Sequence, residues 1–206
     1  MKIFSPDGKL YRFMVRFTDC VKLELLWLLC SLPVITIGAS TAAAFTVTLK
    51  MVKDREGRIA HEFFAAFKAN LRQGIAMTFI TALCAWAVYL DLQLLNVPGG
   101  GSVMFLIIAV LAIYIFSFSL LYAFPLMARY ENTLMKTIRN SFRLSMKFFL
   151  RSLLLLIAVA IECAVFMWNM QTVIIGLLVG PVLVMYTISW VASGIFDKVD
   201  SDNADI

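Results

Sequence analysis

The uncharged segment 25–49, between Glu24 and Lys50, is the feature that most constrains how this chain can fold. At ~1.5 Å per residue of helix, it is long enough to cross the ~30 Å apolar core of a bilayer. Pro33 and Gly38 interrupt it, and after Gly38 small and hydroxylated side chains replace the large apolar ones. The segment therefore either crosses the membrane once as a kinked span or bends at Pro33–Gly38 into a re-entrant hairpin.

The composition is that of an integral membrane protein. Apolar residues make up 62% of the chain and charged residues 15%, whereas soluble domains contain roughly 45–50% and about 25%. The 206 residues suffice for one membrane domain, 1–206. The four cysteines lie in or beside apolar segments without metal-ligand spacing, so we expect them to be packing residues.

Four further segments are long and apolar enough to span a bilayer, where only helices can satisfy the backbone hydrogen bonds. They are residues 74–95, 103–128, 152–170 and 172–196. An interfacial segment, 1–22, precedes segment 25–49, and an acidic tail, 197–206, follows the last span. We therefore predict an all-α polytopic bundle with four full spans plus an N-terminal kinked or re-entrant hydrophobic helix pair, which gives five hydrophobic segments.

The basic residues predict the orientation. All 18 Lys and Arg residues lie in segment 1–22, in the loops 50–73 and 129–151, or in the tail, and none lies in the loops 96–102 and 168–171. Because positively charged loops stay in the cytoplasm, both termini are predicted to be cytoplasmic. A single crossing by segment 25–49 would leave the basic residues of the N-terminus outside, so the charges favour the hairpin.

Both basic loops have amphipathic patterns. In 58–72, apolar residues recur every four positions, and in 132–151 an apolar stripe lies opposite a basic one. Asn132 is expected to cap the second of these helices at its N-terminus. The patterns predict two amphipathic helices at the inner membrane face, whose basic sides meet lipid headgroups or dock onto a partner.

Glu162 is the most informative polar side chain. It lies ~16 Å along a helix from Arg151, which places it near the bilayer midplane, where an unpaired carboxylate costs several kcal/mol. No Lys or Arg occurs in any span to pair with it. We expect Glu162 to be protonated and hydrogen-bonded to a Ser or Thr, or to face a wet cleft with Asp91. Such a cleft would be lined by the bend residues Pro33, Thr36 and Gly38, and would make Glu162 a proton or cation site.

Other motifs point to packing and away from catalysis. Gly176-x-x-x-Gly180 is typical of close helix packing, within the bundle or between copies of a homo-oligomer. We find no phosphate-binding or dinucleotide loop, no metal spacing and only one histidine, His61. The sequence therefore predicts no catalytic, cofactor or metal site and no enzyme. The net charge of +5 is explained by orientation and contact with anionic lipid, so no nucleic-acid partner is predicted.

Three motifs carry a family resemblance: Leu32-Pro-Val-Ile-Thr-Ile-Gly-Ala-Ser-Thr-Ala42, Phe64-Ala-Ala-Phe-Lys-Ala-Asn-Leu-Arg-Gln73 and Pro125-Leu-Met-Ala-Arg-Tyr-Glu-Asn-Thr-Leu134. In this order they resemble the YesL-type family of bacterial membrane proteins, a domain of unknown function. The resemblance implies a location in the bacterial plasma membrane. It also implies an association with carbohydrate uptake, because genes of the family often lie beside genes for that process. It supplies no activity and no site residue.

Two functions remain open at this stage. The first is a non-catalytic accessory or assembly protein whose partners are the lipid bilayer and the membrane subunits of a carbohydrate uptake system. The alternative is a small transporter or channel that uses the midplane carboxyl group of Glu162.

Overall fold

In a computed structural model, the chain is described at residues 9–55, 57–95 and 103–204, and this part contains helices and no strand. These described ranges form seven α-helices: α1 (Lys9–Ser31), α2 (Ile37–Val52), α3 (Ile59–Leu95), α4 (Val103–Arg129), α5 (Leu134–Lys147), α6 (Phe149–Phe166) and α7 (Met170–Ala204). A short 3-10 turn, Val34–Thr36, separates α1 from α2. The predicted loop 96–102 lies outside the described residues.

Within the described residues, five helical segments are long and apolar enough to cross a membrane: Val34–Val52, Ile59–Gln93, Leu106–Arg129, Phe149–Phe166 and Met170–Ser201. Their outward faces carry many exposed large apolar side chains, such as Leu83, Leu177 and Trp190. Exposed apolar area of this extent needs lipid or another apolar surface to cover it. The prediction of an all-α polytopic membrane bundle is confirmed.

Helices α1 and α2 form an antiparallel hairpin. Near the bend, the Trp27 indole N–H donates to Thr41 Oγ1 at 3.2 Å, and at the other end Arg16 Nη1 donates to the carbonyl of Met51 at 2.8 Å. The Thr36 hydroxyl lies 2.7 Å from the Cys30 carbonyl oxygen and stabilises the turn between the helices. The two ends of segment 25–49 therefore lie at the same end of the bundle.

Helix α2 is the centre of the bundle, and its small residues allow its neighbours to approach closely. A Cβ atom added to Gly38 would lie 2.3 Å from the carbonyl oxygen of Gly74 on α3, and one added to Gly74 would lie 2.4 Å from the Cα atom of Ala39. The backbones of α2 and α3 are therefore in direct contact. Small residues at a membrane helix interface allow this approach and the dispersion contacts that come with it.

Several helices are longer than the segments predicted from the sequence. Helix α3 begins at Ile59, so the amphipathic segment 58–72 continues into the span without forming a separate helix. Gly74, the predicted start of the span 74–95, lies inside α3 and packs against α2. Helix α1 likewise begins within segment 1–22, at Lys9, and continues without a break to Ser31 at the bend of the hairpin. Helix α7 continues through most of the acidic tail to Ala204.

The predicted N-cap of the second amphipathic helix is wrong. The residue at that position of α5 is Thr133, in an extended conformation without a side-chain capping hydrogen bond. The backbone carbonyl of Asn132 instead accepts a hydrogen bond of 2.9 Å from Gln73 Nε2. This contact joins the connection between α4 and α5 to α3 and draws Asn132 away from the helix terminus.

Helix α5 packs through hydroxyl groups and leaves much of its apolar stripe on the surface. Thr137, Ser141 and Ser145 are buried, and the Ser145 hydroxyl donates to the carbonyl oxygen of Phe118 on α4 at 2.7 Å. Phe142 and Met146 on the apolar stripe are exposed. A helix with one side on protein and an exposed apolar stripe beside a basic one suits the membrane interface.

We expect Gly74→Ala to lower the free energy of unfolding by about 1–3 kcal/mol, because the added methyl group overlaps the backbone of α2. The control is Gly194→Ala on α7, where an added Cβ meets no atom within 4 Å and helix propensity favours alanine by up to about 1 kcal/mol. Thermal unfolding of both variants in mild detergent measures the difference. Equal melting temperatures would contradict the close packing of α2 on α3.

Candidate functional site

The bend residues predicted as candidate functional residues hold the hairpin on α3. The backbone N–H of Gly38, in the first turn of α2, donates to Thr78 Oγ1 on α3 at 2.9 Å. This bond satisfies one of the N–H groups that have no partner within their own helix. Thr36 bonds back to the carbonyl of Cys30 across the turn, and the exposed Pro33 precedes the 3-10 turn. Thr36 thus closes the turn of the hairpin, and Gly38 joins the hairpin to α3.

Glu24 forms a buried contact that the sequence analysis missed. Its side chain is completely buried, and its Oε2 accepts the backbone N–H of Val182 on α7 at 2.8 Å. Its other oxygen, Oε1, has no hydrogen-bond partner among the described residues. The preceding residue, Pro181, lies inside α7, where a proline disturbs the helical hydrogen bonds around it. Glu24 therefore provides the acceptor for a backbone N–H beside a proline.

A second contact joins α1 to α2 and α7 towards the open end of the hairpin. Arg16 Nη1 donates to the hydroxyl oxygen of Tyr186 at 2.9 Å and to the carbonyl of Met51 at 2.8 Å. The same guanidinium group forms an ion pair with Asp54. Arg16 and Glu24 together fix the register of α1 against α7 at two levels.

Glu162 is partly buried between α6 and α7. Thr187 Oγ1 donates to Glu162 Oε1 at 2.6 Å, whereas Oε2 has no partner among the described residues. Asp91 lies elsewhere, in an apolar crevice of about 360 Å³ lined by α3, α4 and Ile138 of α5. The threonine partner agrees with the predicted alternative in which Glu162 is hydrogen-bonded to a Ser or Thr. No cavity found among the described residues contains both carboxyl groups.

The two glycines of the Gly176-x-x-x-Gly180 motif face an aromatic ring of the same chain. A Cβ atom added to Gly176 would lie 2.8 Å from the Cβ of Phe166 on α6, and one added to Gly180 would lie 3.3 Å from the Phe166 ring. The motif therefore accommodates Phe166 at the short connection between α6 and α7.

The connection between α6 and α7 also caps α7. Asn169 Oδ1 accepts the N–H groups of Gln171 and Thr172 at 3.0 Å each at the start of α7.

Charged side chains collect where the C-terminal turns of α2, α4 and α7 meet, which we call the charged end. Asp197 accepts hydrogen bonds from Lys53 at 2.6 Å and from Arg129 at 3.2 Å. Asp200 accepts from Arg129 at 2.5 Å and from the Tyr130 hydroxyl at 2.7 Å. Burial and the hydrogen bond to Asp200 raise the pKa of Tyr130 to about 12, so its phenol stays protonated at neutral pH. The acidic tail thus neutralises part of the basic loops.

The described residues contain no group of three or more His, Cys, Asp or Glu side chains that could hold a metal ion. Their polar arrangement comprises pairs that join helices and the network at the charged end. These pairs can fix helix register, and one carboxyl oxygen on each of Glu24 and Glu162 remains available to accept a further hydrogen bond.

Comparison with known families confirms the resemblance seen in the sequence. Residues 20–92 match the family described as "Protein of unknown function, DUF624", which is consistent with the YesL-type family. The match covers most of the hairpin and most of α3, and includes the first two of the three motifs. No curated protein and no solved structure matches the chain.

The role of Glu24 can be tested with a double-mutant cycle. We expect Glu24→Ala to lower the free energy of unfolding by roughly 1–3 kcal/mol, because the buried Val182 N–H loses its acceptor. Pro181→Ala allows a regular helical hydrogen bond at this point, so Glu24→Ala should cost less in that background. Glu24→Gln retains an acceptor oxygen and is the matched control. Thermal unfolding in detergent measures all four variants, and additive effects would contradict the proposed coupling.

Proposed function

We propose that this membrane protein is a non-catalytic accessory or assembly protein of the bacterial plasma membrane, with membrane subunits of a carbohydrate uptake system as its partners. The observation that carries the proposal is the use of its buried polar groups. Several of them join its own helices in pairs, while a large apolar surface and a basic helix face remain exposed.

The internal pairs support a structural role for the polar residues of the spans. Besides the contacts of Glu24 and Glu162, Thr48 on α2 and Ser189 on α7 are hydrogen-bonded at 2.7 Å. Tyr122 on α4 and Ser152 on α6 are hydrogen-bonded at 3.1 Å. Such bonds stabilise helix association in a membrane. A transport path instead needs polar groups that line a shared route through the bundle.

The exposed basic face of α5 supports docking onto a partner. Lys136, Arg139 and Arg143 are exposed and form no ion pair with any described residue. The carbonyl acceptors on α4 fix the opposite, hydroxyl-bearing side of the helix. A rigid basic surface suits an acidic cytoplasmic loop of another membrane protein. The link to carbohydrate uptake rests on the gene neighbourhoods of the YesL-type family.

The charges also support the proposed orientation. The ion pairs of Arg16, Lys53 and Arg129 lie at the end of the bundle where both ends of the hairpin meet. Under the positive-inside rule, this end faces the cytoplasm. Helix α7 terminates at the same end, in agreement with a cytoplasmic C-terminus. A hairpin that enters and leaves on this side keeps the basic N-terminal segment inside as well.

A small transporter or channel is the second candidate function, and Glu162 is the observation in its favour. Its Oε2 has no partner among the described residues, and its partner Thr187 lines a groove of about 590 Å³ between α6 and α7. Arg151 and Thr187 are the two polar side chains of the groove lining, and the remainder is apolar apart from the indole of Trp190. A carboxyl group beside such a groove could exchange a proton with water.

Affinity purification tests the accessory function. The protein, tagged at its C-terminus and produced at its native level, should recover permease or solute-binding subunits stoichiometrically from mild detergent. Arg139→Gln with Arg143→Gln should lower that recovery several-fold, whereas Lys22→Gln with Lys198→Gln, which removes the same charge elsewhere, should not. Mass spectrometry measures the recovered subunits. Recovery of the protein alone, or only with copies of itself, would contradict the proposal.

Substitution of Glu162 separates the two functions. Because the Thr187 hydroxyl can donate to an amide oxygen as well as to a carboxyl oxygen, Glu162→Gln should leave partner recovery and the melting temperature unchanged. Proteoliposomes containing a pH-sensitive dye measure proton flux for the wild type and for Glu162→Gln. Flux in the wild type that disappears in the variant would favour the transporter and contradict the accessory function.

A further inference from the structure

A basic pocket lies between the C-terminal turns of α2 and α4, at the charged end. Its volume is about 410 Å³, within the usual range for ligand sites, and the described residues that line it include four cationic side chains and no acidic one. The cations are Lys50, Lys53, Arg55 and Arg129. The remaining lining residues are Thr46, Leu49 and Ala128, which make the floor largely apolar.

The turn after α2 places Arg55 at this pocket. Asp54 adopts a left-handed conformation with a φ of 51°, which reverses the chain at the end of the helix. The backbone N–H of Arg55 then donates to the carbonyl of Lys50 at 3.0 Å. Asp is one of the few residues other than glycine that adopt this conformation readily. The backbone geometry thus fixes Arg55 beside Lys50 and Lys53.

Among the described residues, the acidic neighbours of the pocket pair with three of its four cations. Asp197 is shared by Lys53 and Arg129, Asp200 pairs with Arg129, and Glu62 lies 3.3 Å from Lys50 Nζ. Arg55 is exposed and forms no ion pair with any described residue. A guanidinium group beside two ammonium groups is suited to the oxygens of a phosphate group, which accept several charge-assisted hydrogen bonds.

We propose that the pocket between α2 and α4 binds a phosphate-bearing anion, and that the phosphate belongs to the headgroup of an anionic phospholipid. The apolar floor at Leu49 and Ala128 favours the lipid, because it offers a surface for the first methylene groups of an acyl chain. Basic pockets between membrane helices at the cytoplasmic side commonly bind anionic headgroups. The site is independent of the proposed accessory function.

The pocket is also joined to the centre of the bundle. Phe45 on α2 and Phe124 on α4 stack with ring centroids 6.5 Å apart. Each ring lies about one helical turn before a floor residue of the pocket, Leu49 or Ala128. Bound phosphate would connect the ends of the same two helices through Lys50, Arg55 and Arg129. Because a ligand that binds only the folded state stabilises it by mass action, occupancy should raise the melting temperature.

The test uses the full chain, delipidated in a neutral detergent. Dioleoylphosphatidylglycerol, dioleoylphosphatidylcholine and glycerol 3-phosphate are titrated separately, and binding is followed by melting temperature and by native mass spectrometry. We expect saturable binding of phosphatidylglycerol and no saturable effect of phosphatidylcholine. Arg55→Gln should weaken phosphatidylglycerol binding roughly tenfold, the effect of losing one charge-assisted hydrogen bond. Arg55→Lys should recover part of the loss.

Arg58→Gln is the matched control, because Arg58 is an exposed arginine of the same connection that does not line the pocket. It should bind phosphatidylglycerol as the wild type does. Saturable binding of glycerol 3-phosphate that depends on Arg55, without binding of the lipid, would support the phosphate site and assign it to a soluble phosphate ester. Equal weakening by Arg55→Gln and Arg58→Gln, or no saturable binding of either phosphate compound, would overturn the proposal.

Discussion

The direct contact between the backbones of α2 and α3 determines where the helix hairpin can lie. At Gly38 and Gly74 there is no room for a side chain, because an added Cβ would overlap the backbone of the other helix. Because lipid tails are as apolar as the helix surfaces, the hydrophobic effect does not drive helices together within a membrane. Dispersion contacts and hydrogen bonds therefore hold them together. The hydrogen bond from Gly38 to Thr78 depends on the same approach. A hairpin held further from α3 would lose the contact and this bond together.

Once α2 is placed, the buried polar groups fix the remaining helices against the hairpin and against one another. Glu24 and Arg16 join α1 to α7, and Thr48 joins α2 to Ser189 on α7. Each bond is specific to one register, because a shift of one residue would rotate the donor or acceptor out of reach. The apolar surfaces of these helices, by contrast, could pack in several registers at similar free energy. Polar pairs therefore select the register of the helices, and small residues allow the helix backbones to approach closely.

Apolar length predicted five hydrophobic segments, and Pro33 together with the basic residues of segment 1–22 and loop 50–73 favoured the hairpin over a single kinked span. The sequence could not reveal that Glu24 is buried, since a carboxyl group next to an apolar segment normally remains in water and its acceptor role depends on Pro181, far along the chain. The continuous helix α3 was missed because a change from amphipathic to apolar composition does not end a helix. The hydroxyl stripe of α5, at Thr137, Ser141 and Ser145, was visible in the sequence as a four-residue repeat.

The positive-inside rule explains on which side basic residues accumulate, but it does not determine how they are arranged there. The acidic end of α7 pairs with Lys53 and Arg129 and so draws cations from α2 and α4 towards one another. Exposed pairs of this kind add little stability individually. Their effect is mainly on position: Asp197 shares its charge between two cations, and Arg55 beside them forms no ion pair with any described residue. Asp197 thus lowers the net charge of the charged end, and by holding Lys53 and Arg129 together it also helps to assemble the basic pocket there.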